Sequence, residues 1–231
     1  MIVSSLDART RVRAAQPATG TRQTLAELNV TNPTECDVDF ILHAFDSALA
    51  YLASIGSEAQ WGTIPFSAKP DQVSHFTNYV EECYLQASAN SGSGSIWQSM
   101  LLYEVKQDTS WTRVAALGIS TAFPSYVPDS LADNSMRQAA DYVYLKYLVT
   151  DRRCATLSKR SAAHLMAFAE QTAREMHMHI CYGDCWRGNG DGLLKYYQHL
   201  GYTPLGAFDV KDKHGPGLPW SGYLFSKSLS H

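Results

Sequence analysis

The sequence predicts a single mixed α/β domain whose sheet is mostly antiparallel and flanked by helices. Three observations predict it. Two amphipathic helical stripes lie in the first ninety residues, two β-like runs joined by a short polar link come next, and from Tyr142 onward strand and helix patterns alternate. With 231 residues, 45% of them hydrophobic, the chain is long enough to bury a sizeable core without disulfide staples.

The elements follow in order. Residues 24–30 read as a strand, and residues 37–55 as a helix with Ile41, Ala44, Phe45, Ala48 and Leu52 on one face, closed by Gly56 at the C′ position. A second stripe, Val73, Phe76, Tyr79, Val80 and Cys83, makes residues 70–87 a helix that ends at the Ser/Gly loop 91–95. Residues 100–106 and 114–121 form an antiparallel hairpin across a polar link. Residues 142–150 are a strand rich in Tyr, Leu and Val. The helix after it carries Ala162, Leu165, Met166, Ala169, Ala173 and Met176 on its apolar face. Strand 178–186, short helix 193–200 stopped by Gly201, and strands 202–210 and 222–226 complete the series.

Composition narrows the function. A formal net charge of −3 gives no field to hold a polyanion, and no eighteen apolar residues run together, so neither nucleic acid nor membrane is expected as a partner. The five cysteines are odd in number and lack paired CxxC spacing, which fits reduced thiols and a cytoplasmic location. Residues 1–22 have no apolar signal core and read as a flexible or loosely docked arm, leaving 23–231 as the folded domain.

Two segments carry chemistry. In the first, residues 151–164, a strand gives way to a helix with Ser158 or Ser161 as N-cap. Arg152, Arg153, Lys159 and Arg160 crowd its start, although cations in a first turn oppose the helix dipole. A bound anion would compensate, and free first-turn amides beside these cations make a cradle for phosphate or pyrophosphate. The plain alternative is a basic turn pointing into water. The second segment, residues 184–202, packs strand, turn, short helix and strand into some twenty residues and contains Trp186-Arg187-Gly188-Asn189 and Leu193-Leu194-Lys195-Tyr196-Tyr197-Gln198-His199-Leu200-Gly201-Tyr202.

These residues, with the strand and amphipathic helix before them, resemble the C-terminal half of the GNAT superfamily of acyltransferases. The resemblance runs from about residue 142 to 208, with the Tyr-Tyr-x-x-Leu-Gly-aromatic run as its most specific part. It implies an enzyme using acetyl-CoA, or a related acyl-CoA, to acylate the amine of a small molecule by direct transfer in a ternary complex, as a monomer or homodimer. It implies that Leu148, Val149 and Thr150 offer strand backbone to pantetheine. The family's pyrophosphate loop, Gln/Arg-x-x-Gly-x-Gly/Ala, overlays Ser158, Lys159, Arg160, Ser161, Ala162 and Ala163, where only the last small residue conforms. Asn189 falls where the family often has a residue contacting the cofactor, and Tyr197 falls on the family's general acid, a phenol that protonates the departing thiolate and also lines the CoA site. Asp184 and Glu104 are the candidates to take a proton from the amine. The glycine-free loop keeps two alternatives open. One is a GNAT-like enzyme repurposed for another, CoA-independent reaction in secondary metabolism, and the other is a non-catalytic ligand-binding module.

Other constellations are weaker. His177, His179 and Cys181 alternate and would share a strand face, but no fourth ligand stands at a clear spacing, so no metal is expected. Gly188-x-Gly190-x-Gly192 has the wrong third spacing for a dinucleotide loop, and no GxSxG elbow occurs. Cys154 has cations beside it that would lower its pKa, against the plainer reading of a half-buried thiol. The Gly/Pro segment 214–220 precedes the last strand, where such enzymes often complete the acceptor pocket.

Overall fold

Val3–Ser5 (β1) and Thr10–Ala14 (β2) pair antiparallel, and β2 pairs antiparallel with Gln98–Gln107 (β3). Val12 and Arg13 are fully buried, so the expected arm is corrected: these residues build the sheet. The computed structural model describes residues 3–18, 25–32, 34–88, 96–213, 215 and 217–229. The remaining strands are β4 (Ser110–Ser120), β5 (Tyr142–Thr150), β6 (Ile180–Trp186), β7 (Thr203–Val210) and β8 (Trp220–Ser228). They form one eight-stranded, mostly antiparallel sheet in the order β1-β2-β3-β4-β5-β6-β8-β7. The helices are α1 (Asp37–Ser54), α2 (Pro70–Ser88), α3 (Asn134–Gln138), α4 (Ser161–Glu175) and α5 (Gly192–His199). No helix among the described residues is long and apolar enough to cross a membrane.

Most elements lie within a few residues of their sequence-read bounds, and Gly56 takes the left-handed conformation (φ 68°) that ends α1. The strand expected over 24–30 does not form. Residues 25–27 are helical and only Val30 bridges, to Trp111. The Ser/Gly loop 91–95 lies outside the described residues.

The chain contains two compact units, each assembled from separate stretches. The first comprises Met1–Ala48, Ile64–Ile119 and Tyr147–Phe168. Its core buries Phe40, Ile41, Phe76, Val80, Leu102 and Leu117, and Phe45 stacks on Phe66 at 4.6 Å between centroids. Inside it lies a buried ion network. Arg13 donates to both oxygens of Asp37 (2.5 and 2.8 Å) and to Glu104 (2.8 Å), Arg11 donates to Glu104 (2.5 Å), and Arg113 donates to Asp37 (2.9 Å). Glu104 is therefore not free to act as a base. It is fully buried and holds two guanidiniums.

The second unit comprises Leu49–Thr63, Ser120–Lys146 and Ala169–His231. Here β5 and β6 run parallel with four paired positions, from Tyr142↔Ile180 to Leu145↔Gly183. The parallel register ends there, while β5 continues to Thr150 and β6 to Trp186. On its other side β6 pairs antiparallel with β8 through Trp186↔Gly222, and β7 pairs antiparallel with β8 across a bulge between Pro204 and Gly206. Tyr142, Tyr144, Tyr182, Trp186, Phe208, Trp220 and Leu224 form its aromatic core.

Candidate functional site

In the first unit, β5 carries Leu148, Val149 and Thr150 into Asp151, whose side chain caps the following 3-10 turn by accepting from the Arg153 amide at 2.9 Å. The chain then turns through residues 155–160 and enters α4 at Ser161. Neither serine caps that helix as expected. The Ser161 hydroxyl donates to the Ser158 carbonyl at 2.6 Å and the Ser158 hydroxyl to the Ala155 carbonyl at 3.3 Å. The helix is entered through Arg160, whose φ of 67° is left-handed and whose carbonyl accepts from the His164 amide. With the helix starting at Ser161, the amides of Ala162 and Ala163 have no i−4 carbonyl to bond.

The cationic ring is smaller than the sequence suggests. Arg153 turns back onto Asp151 and reaches Glu35 at 3.1 Å, while Lys159 and Arg160 are exposed beside the helix entrance. A concavity of about 420 Å³ lies against the same turn, lined by Arg9, Val105, Lys106, Gln107, Asp108 and Leu157. Sequence reasoning missed its two cations because they sit far from residues 151–164 along the chain. Cys154 is not activated, since burial, reinforced by Asp151, pushes its thiol up to about 11.

In the second unit, Asn189, Gly190 and Asp191 are left-handed in succession (φ 48°, 63° and 60°), which short polar side chains and glycine tolerate. This turn starts α5, whose Tyr197 points inward and is 8% exposed, whereas Tyr196 is 37% exposed. Tyr197 stacks on Phe225 at 4.3 Å between centroids. Burial, with smaller contributions from Cys185, Tyr196 and Asp184, holds its phenol far above the ordinary range, so it carries its proton at neutral pH. Asn189 is exposed, and its backbone conformation alone accounts for an Asn there.

Asp184 lies on β6, one residue past the end of the parallel register. It accepts hydrogen bonds from the Tyr126 hydroxyl at 3.0 Å and from the Tyr144 hydroxyl, and Lys213 stands 3.7 Å away. Burial and the Asp184 charge raise the Tyr144 phenol well above its usual value. Burial lowers the Lys213 ammonium below the usual lysine range, against the pull of Asp184. None of Tyr126, Tyr144 or Lys213 was marked by the sequence, because each comes from a different element and no spacing links them to Asp184.

The histidine and cysteine alternation is corrected too. β6 begins only at Ile180, His177 is left-handed (φ 60°), and Cys181 is buried with its sulfur 3.3 Å from the Tyr202 hydroxyl. Among the described residues no three His, Cys, Asp or Glu side chains stand together as a metal set. His214 and Pro216 of the Gly/Pro segment lie outside the described residues.

No family model and no curated protein sequence matches the chain. Solved structures do. A ribosomal-protein-alanine N-acetyltransferase from Brucella melitensis superposes with a TM-score of 0.54 at 12% identity, covering 94% of this chain and 98% of that one. A Salmonella typhimurium structure described as an acetyltransferase with its cofactor acetyl-CoA gives 0.53 at 12% identity, over 96% and 95%. A Desulfovibrio desulfuricans structure described under the GNAT family of acetyltransferases gives 0.52 at 9% identity, over 84% and 93%. The chain has the GNAT fold. β5, α4, β6 and α5 follow one another in the strand-helix-strand-helix order that the sequence predicts.

Proposed function

We propose that this GNAT-fold chain is an acetyl-CoA-dependent N-acetyltransferase that acts on the amine of a small molecule by direct transfer in a ternary complex. The observation that carries the reading is the parallel register that stops at Leu145 and Gly183 while both strands continue. Beyond it, Leu148, Val149 and Thr150 have backbone groups outside that register to pair with the pantetheine arm.

The donors at the α4 entrance suit a pyrophosphate. Two amides lack helical carbonyls, the residues bearing them are alanines, and the flanking cations are exposed. Ser158, Lys159, Arg160, Ser161, Ala162 and Ala163 would hold it, the buried serines by fixing the turn and the cations by charge. Asn189 would approach the cofactor from the turn before α5. Bound acetyl-CoA supplies the acetyl group as a thioester. Tyr197, which keeps its proton at neutral pH, would give it to the leaving thiolate, and Asp184, fixed by two phenols, would take the proton lost by the attacking amine.

Calorimetric titration with acetyl-CoA tests the reading. Micromolar binding to the intact chain, weakened by the double substitution Lys159→Ala, Arg160→Ala, supports it. No heat with acetyl-CoA or CoA from folded protein overturns it and leaves a repurposed or purely ligand-binding GNAT fold.

A further inference from the structure

Lys213 sits in the connection between β7 and β8, with its side chain 21% exposed and its ammonium turned toward aromatic rings. Its Nζ stands 3.3 Å from the centroid of the Trp220 ring and 3.9 Å from that of Tyr126, with Asp184 at 3.7 Å. Ring faces attract a cation through their quadrupoles, and more strongly when the site is desolvated. The carboxylate that completes the site is itself held in place by the hydroxyls of Tyr126 and Tyr144.

A second partly buried lysine in the same unit shows what a structural ion pair looks like here. Lys227 grips both oxygens of Glu170 at 2.8 Å from within β8. Lys213 instead meets Asp184 at 3.7 Å, from a connection rather than a strand, and its surroundings disfavour its charge. A fixed carboxylate beside two aromatic faces describes a cation site, and Lys213 meets that carboxylate only by a long ionic contact.

We infer that Asp184, Tyr126, Tyr144 and Trp220 form a binding site for a primary alkylammonium, and that Lys213 is its built-in, displaceable occupant. Identifying that alkylammonium with the acceptor's amine rests on the acyltransferase reading; the site itself does not. An incoming amine must compete with a tethered lysine, whose effective concentration is about millimolar or higher, so its apparent affinity falls by the fraction of molecules in which the site is open.

The test is a titration of the full chain with n-butylammonium chloride, followed by the indole N–H resonance of Trp220 and assigned with Trp220→Phe. Lys213→Ala is expected to bind at least tenfold more tightly than the unsubstituted chain, and Lys213→Gln, which has no cation to offer, should behave alike if the alanine variant folds poorly. Adding Asp184→Asn to either is expected to reverse the gain, and 1-butanol should leave the resonance unmoved. Equal affinity with and without Lys213, or a gain that survives Asp184→Asn, overturns the inference. No CoA is present, so failure here leaves CoA binding at residues 158–163 untouched, and failure of CoA binding leaves this result standing.

Discussion

Phe225 of β8 lies nearly flat against Tyr197 of α5, with 4.3 Å between ring centroids and 26° between planes. The same Phe225 ring closes over Gly183, where a Cβ would stand 2.7 Å from two of its atoms and 3.3 Å from the Cβ of Leu145. A hydrogen at position 183 thus lets the strand, the phenylalanine and the candidate acid share one stack. Gly183→Ala is expected to cost about 1–3 kcal/mol in urea unfolding. It should lower turnover in an acetyl-transfer assay more than it changes acetyl-CoA affinity, because it shifts the phenol and not the turn into α4.

Tyr197→Phe removes only the hydroxyl. If that phenol is the acid, turnover should fall by about 10²–10⁴-fold while calorimetric affinity for acetyl-CoA is unchanged. Retention of full turnover would reduce Tyr197 to a packing residue.

Arg160 separates strain from binding. A left-handed non-glycine residue costs about 1 kcal/mol, so Arg160→Gly should raise the unfolding free energy by up to about that amount. The same variant should bind acetyl-CoA more weakly, since it loses a cation at the helix entrance. Stability and affinity moving in opposite directions is the signature to look for, by urea titration and calorimetry on one preparation.

The buried ion network makes the first unit sensitive to truncation. Arg13→Met leaves Asp37 and Glu104 short of a guanidinium inside the core and is expected to cost about 3–5 kcal/mol. Burial alone would raise the Asp37 pKa, but Arg13, Arg113 and the Gln16 amide hold it below the ordinary carboxylate value of 3.8. A depressed acid contributes stability above its unfolded pKa and loses it as pH falls through the folded one. Unfolding midpoints should therefore decline below about pH 4 in the unsubstituted chain, and less steeply in Asp37→Asn.

At the alkaline end the sign reverses. Burial raises Cys181 and Cys185 to about 12 from an unfolded 9.0. Their neutral thiols favour the fold fully below pH 9, and that contribution drains away as pH climbs from 9 to 12, because the unfolded chain ionises first. The stability gap between the unsubstituted chain and Cys181→Ala should narrow over that interval in parallel urea titrations.

What could be read from the sequence was what is local. The period-3.6 stripes located α1, α2 and α4, and runs of strand-forming residues between turn residues located β5 through β8. β1 and β2 escaped because Thr10–Ala14 carries two arginines and looks like a polar arm. Their burial makes sense only once Asp37 and Glu104, distant in sequence, arrive to pair them. The site divided along the same line. The turn around residues 158–163 and the Tyr196-Tyr197 pair are contiguous motifs, whereas the setting of Asp184 is assembled from β5, β6, the segment after β4 and the β7–β8 connection. No spacing rule spans such pieces.

The bulge between Pro204 and Gly206 bears on how copies of this chain could meet. β7 is the last strand of the sheet, and a free edge invites another molecule to zip on by backbone hydrogen bonds. Proline has no amide hydrogen to give, and the shifted register breaks the even ladder a newcomer would need. At Thr203–Gly206 this end of the sheet is guarded against filament growth by the covalent structure of one residue and the kink beside it.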